Sequence, residues 1–170
     1  MNRLLLTSIL ERALSILAFY FPFVEIACYF GPKVFLGTES LVMRTFYAQY
    51  IIPLSKFYID NNLLVFIVMI WLFTGCARGK LLTFRVSKFF RFNIIQAVLL
   101  NIIGTCIGVT FQYLPVVFRE SLFATAFSNF LFLGMLVLFF YSSLNIAYGR
   151  YPVIPVISDA AKLNVQRGYD

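Results

Sequence analysis

Histidine is absent from this chain, and carboxylates and cysteines are scarce: seven and three among 170 residues. The lack of imidazole removes the commonest acid–base catalyst and the usual zinc ligand sets from the first expectations. Cys28, Cys76 and Cys106 lie far apart in apolar stretches with no C-x-x-C spacing, so they read as small packing residues. No cofactor or metal is expected. Hydrolysis within a membrane would need paired carboxylates, a histidine or a metal cluster, and the sequence carries none of these patterns, so the chain is expected not to be an enzyme. Charge is scarce too, at 12% of residues against about one quarter in a soluble domain.

What is abundant is hydrophobicity: 61% of the residues, with 21 phenylalanines. Apolar runs of about 20 residues cross a ~30 Å hydrocarbon core as helices. Four such spans are read, over residues 13–30, 63–77, 92–117 and 122–147, in a single membrane domain of residues 1–170. The expected fold class is therefore an all-α integral membrane protein with four transmembrane helices and short amphipathic surface helices. The second span is short, so Asn61, Asn62 and a snorkelling Arg78 should reach the interfaces. The connection of residues 31–62 repeats Val42, Phe46, Tyr50, Leu54 and Phe57 at spacings of four and three, the pattern of an amphipathic surface helix that Pro53 would bend. An irregular loop with aromatic anchors is the alternative.

The net charge of +7 follows the spans. Ten of the fourteen basic residues fall on the side that holds both termini and the loop with Arg78, Lys80, Arg85, Lys88 and Arg91, which places that side inside, in cytoplasm or stroma. The basic loop reads as an orientation and headgroup element, or as a contact for acidic partners or substrate; nucleic acid is not needed to explain it. About twelve residues precede the first span, and they have neither the Arg- and Ser-rich character of a transit peptide nor a cleavage site. Synthesis in the compartment from which the chain inserts is expected.

The third span breaks the apolar pattern. Asn93, Gln96, Asn101, Gly104, Thr105, Gly108 and Gln112 share about half of its circumference at ~100° per residue. Gly104 and Gly108 form a G-x-x-x-G pattern that admits a close helix, and amides on that face can bond across the contact. The other reading is a face that lines a hydrated path or touches a polar substrate. Glu25, past the middle of the first span, either reaches the headgroups, pairs with Lys33, or faces this stripe. After the fourth span, Gly149, Pro152 and Pro155 lead to Ser158 and Asp159, which read as the cap and first turn of a short amphipathic helix in the tail of residues 150–170.

Two stretches carry a family resemblance: "FFRFNIIQAVLLNI" from Phe89 and "GRYPVIPVISDAAKL" from Gly149, with a weaker third, "FYFPFVEIACYFGP", from Phe19. In order and spacing they resemble the twenty-kilodalton subunit family of the TIC translocon, the protein-import machinery of the chloroplast inner envelope, in a plastid-encoded or cyanobacterial form. Asn101 stands where the resemblance leads one to expect an acidic residue. The resemblance implies a multi-pass protein of the plastid inner envelope, or of a cyanobacterial plasma membrane, that contributes to or borders a preprotein path. It implies other translocon subunits, unfolded preprotein and lipid as partners, with the tail helix as a docking element. A structural assembly subunit is the alternative, and a small-solute transporter a thinner one, since one intramembrane carboxylate and no inverted repeat support it.

Overall fold

The computed structural model describes residues 2–37, 39–77, 80–81, 84–85 and 87–167. Its elements are α1 (Asn2–Leu36), α2 (Leu41–Phe46), a π-helical turn (Tyr47–Ile51), α3 (Ile52–Asp60), α4 (Asn62–Ala77), β1 (Lys80–Leu81), β2 (Phe84–Arg85), α5 (Lys88–Gln112), α6 (Val116–Arg119), α7 (Leu122–Ala147) and α8 (Ile157–Arg167). The two strands form one short antiparallel ladder that pairs Lys80 with Arg85 and Leu81 with Phe84. The other described residues are helical apart from short connections.

Three helices are long and apolar enough to cross a membrane: Ile9–Leu36, Lys88–Gln112 and Leu122–Ala147. A fourth crossing exists if Leu41–Asp60 and Asn62–Cys76, which meet at 75°, count as one broken span. The all-α membrane class is thus observed. α7 has the expected bounds, whereas the first and third spans need correction. α1 extends well beyond 13–30 at both ends and carries Pro22 and Pro32 within it. α5 begins at Lys88 and stops at Gln112 rather than near residue 117, because the chain turns at Tyr113 and Leu114 before Pro115, a residue that cannot donate to a continuing helix.

The connection of residues 31–62 is helical almost throughout, with the π turn just ahead of Pro53. Proline supplies no amide hydrogen, and wider hydrogen-bond rings absorb such a gap. Its inward face differs from the expected one. Tyr47, Ile51 and Tyr58 are buried on the bundle, while Val42, Phe46, Tyr50 and Phe57 point away from it.

α1 is the central post, packed on α5, α7, α3 and the π turn. Aromatic rings fill the α1–α7 contact: Phe23 stacks on Phe139 at 5.6 Å between centroids, and Tyr20 meets the same ring edge-on at 6.2 Å. Phe30 joins α1 to both Phe111 of α5 and Phe127 of α7. Such offset and edge-on pairs add about 0.5–1.5 kcal/mol each beyond the area they bury.

Polar ties close one end of the bundle. The Ser87 hydroxyl caps α5 by accepting from the Phe90 amide and donates to Glu11 of α1 at 2.6 Å. α7 ends in a two-bond terminal turn in which Gly149 donates to Ile146 and Arg150 to Asn145. Gly149 sits at φ 72°, and a Cβ there would lie 2.8 Å from the Arg12 guanidinium, whose Nη1 donates to the Ala147 carbonyl at 3.1 Å. Backbone twist and space both demand glycine here.

Candidate functional site

The stripe on α5 resolves into two polar clusters. Toward its N-terminus, Gln96 Nε2 donates to Ser158 Oγ at 2.6 Å and to the Pro152 carbonyl at 3.2 Å. Ser158 Oγ also accepts from the Ile154 amide at 2.6 Å. The stripe and the tail motif, far apart in sequence, are therefore one assembly that fastens α8 to α5.

Ser158 is not the cap expected of it. The helix starts at Ile157, so Ser158 lies within the first turn and its hydroxyl points into the α5 contact, while Asp159 pairs with Lys162 at the surface. Val156, just before the helix, has φ 68°, and Ile157 donates back to the Pro155 carbonyl at 2.8 Å, a tight three-residue turn. A β-branched residue in this region is strained, so the docked tail must hold it there. Pro152 is buried and Pro155 exposed.

Asn93, one turn before Gln96, is fully buried, and neither its Oδ1 nor its Nδ2 has a protein partner; Gln96 Oε1 is in the same state. Arg91 corrects the reading of the basic loop. It lies inside α5, 1% exposed, with Nε donating to the Cys76 carbonyl near the end of α4. Of the other loop residues, Lys88 is exposed in the first turn of α5, the backbones of Lys80 and Arg85 pair in the ladder, and Arg78 lies outside the described residues.

Toward the other end of the stripe, Glu25 of α1 faces α5 rather than the headgroups. It is 4% exposed and accepts from the Thr105 hydroxyl at 2.6 Å. Tyr58 of α3, buried as well, stands beside Glu25 at the same cluster. Asn101 Oδ1 makes no hydrogen bond in the protein. Lys33 stands instead over the Phe111 ring, 5.8 Å from its centroid. A cavity of about 180 Å³ opens beside the cluster, lined by Glu25, Cys28, Tyr29, Tyr58, Ile59, Asn62 and Gln112.

Alongside and beyond the second cluster α1 covers the small-residue face. A Cβ on Gly104 would touch Ile26 at 3.4 Å, and one on Gly108 would enter the Tyr29 ring. Gln112 alone among the stripe residues is exposed, at the mouth of the cavity. The opposite face divides: Ile94, Ile95, Val98 and Phe111 are buried, Ile102 and Ile103 exposed. Around residues 90–98 α5 is enclosed on all sides, since α1, α4 and α8 meet it there. Tyr58 went unnoticed in the sequence because it is one polar residue in an apolar helix end, whereas Asn62, read as an interfacial residue, lines the cavity. The alternation of Tyr47, Ile51 and Tyr58 at near-helical spacing is the signal that marks them as an inward face.

The clusters contain carboxamides, hydroxyls and one carboxylate, a chemistry suited to hydrogen bonding and to holding positive charge. Comparison with known proteins shows the family. The family described as "Chloroplast import apparatus Tic20-like" matches residues 9–161. The "Tic20 family protein Ycf60" of Gracilaria tenuistipitata var. liui is 33% identical over 158 residues, 93% of this chain and 76% of the relative. A "Tic20 family protein" of Synechocystis sp. is 33% identical over 157 residues, 92% of this chain and 93% of the relative. The Ycf60 protein of Porphyra purpurea is 30% identical over 159 residues, 94% and 77% of the two chains. The chain belongs to the Tic20-like family.

Proposed function

We propose that the chain is a membrane subunit of a preprotein translocon, at the plastid inner envelope or the plasma membrane of a cyanobacterial-type cell, and that it borders the path of unfolded precursors. The observation that carries this is the match, over residues 9–161, of a family described as chloroplast import apparatus. In this reading the chain performs no bond chemistry. Both termini and the basic loop face stroma or cytoplasm, as the distribution of Lys and Arg favours. Its partners are other translocon membrane subunits, the precursor and lipid.

The geometry supports bordering over enclosing. The amide and glycine face of α5 is covered by the chain's own α1 and tail, so the path runs beside this chain, against a second subunit. The same covered seam favours a second reading, an assembly subunit that shapes the complex and never touches precursor.

Photocrosslinking distinguishes the two. Probes at Asn62 and Gln112, on the cavity mouth, are compared with probes at Ile102 and Ile103, exposed on the far face of α5, during arrested import in intact organelles. Precursor crosslinks from the mouth alone are expected. Crosslinks only to neighbouring subunits would refute the bordering role and establish the assembly role.

A further inference from the structure

We propose that the cavity ending on Glu25 is a binding site for one positive charge, an alkali cation or the primary ammonium of a lysine-like side chain. The argument starts with the carboxylate. A carboxylate withdrawn from water is costly unless positive charge compensates it. The group that donates to Glu25 here is the hydroxyl of Thr105, which is neutral. Lys33, two turns along the same helix, is held over Phe111 instead. The cavity lining contains neither Lys nor Arg.

What lines the cavity suits a visiting cation. Asn62 and Gln112 offer amide oxygens at the mouth, and the Tyr29 and Tyr58 rings offer π faces. The space of about 180 Å³ is several times the ~30 Å³ share of one liquid water. Glu25 lies at the level of Thr105, and Gln112 is seven residues on, so the charge sits ~10 Å below the mouth at helical rise. An ammonium on a flexible four-carbon stem suits that depth, its methylenes lying against Cys28 and Ile59. Identifying that side chain with a basic residue of a precursor rests on the function proposed above.

The test uses the unaltered full chain in lipid nanodiscs. Dicyclohexylcarbodiimide, which enters membranes and attacks carboxyl groups, is applied in sodium, potassium, n-butylammonium or choline chloride at equal ionic strength. Mass spectrometry then reports labelling at Glu25 and at exposed Glu39, the internal reference. Labelling of Glu25 should slow about tenfold when butylammonium stands at ten times its dissociation constant, with Glu39 unchanged. Slowing by sodium or potassium and not by the amine would support the same site with an alkali cation as occupant. Equal rates in all four salts would overturn the proposal. So would labelling of Glu39 with none at Glu25 in any salt, because a cavity closed to the reagent is closed to a side chain. Protection by the amine without precursor crosslinks at Gln112 would leave the site standing and remove the bordering role; crosslinks without protection would do the reverse.

Discussion

Replacing Ser158 by alanine should release the tail from α5. The deletion removes one oxygen that is buried and receives two hydrogen bonds, from the Gln96 amide and the Ile154 backbone amide. Gln96 keeps the Pro152 carbonyl, but Ile154, buried itself, is left with a donor and no acceptor. At about 1 kcal/mol for a net bond, and 1–3 kcal/mol for an orphaned buried group, the docked state should lose about 2 kcal/mol. That corresponds to about a 30-fold rise in the open fraction. Hydrogen exchange of the full chain in nanodiscs reads it directly, as faster exchange of the α8 amides with α7 unchanged. Ser142→Ala is the matched control, because Ser142 is as deeply buried but its hydroxyl has no protein partner. It should leave exchange unaltered or slow it. Wild-type protection of α8 in Ser158→Ala, or equal loss in both variants, would refute the assignment of Gln96 and Ser158 as the fastening.

Three further outcomes follow from the same geometry. Gly108→Ala should destabilise the α1–α5 contact by about 1–3 kcal/mol, because its methyl group meets the Tyr29 ring; Gly134→Ala, with nothing within 4 Å, should be neutral in the same thermal unfolding assay. Glu25→Leu should unfold below Glu25→Gln, since glutamine still accepts from Thr105 while leucine leaves that hydroxyl only the Asn101 carbonyl, a loss of about 1 kcal/mol; equal melting temperatures would show that the contact contributes nothing. Arg91→Leu should speed exchange at the C-terminal turn of α4 by removing a charged donor to Cys76 worth about 1.5–3 kcal/mol, and unchanged exchange there would refute the tie.

The long helices were legible because apolar runs of their length have one stable form in a bilayer. The stripe on α5 was legible because its period is that of a helix. Partners were not, since a period shows which residues share a face and not what covers it. Gln96 finds its acceptors 56 and 62 positions away, and Glu25 finds Thr105 at 80. Arg91 looked like the last charge of a basic loop, and only the arrival of α4 explains its burial. The break between α3 and α4 was legible too, because Asn61 and Asn62 interrupt the apolar sequence where the second span was expected to begin. The resemblance in the Phe89 and Gly149 stretches had a physical basis that sequence could not display: these are the two halves of one hydrogen-bonded joint.

That joint sets an order on the making of the protein. The acceptors for Gln96 emerge from the ribosome 56 to 62 residues after it, about 3 to 12 s later at ordinary rates of synthesis. During that interval the third helix must enter the membrane with its amide unmet, or wait beside the insertion machinery until the tail is made. A nascent chain cut short before Pro152 would keep Gln96 and Asn93 exposed to whatever membrane helix lies nearest. Emergence of the tail, rather than insertion of the last span, is the event that seals this fold.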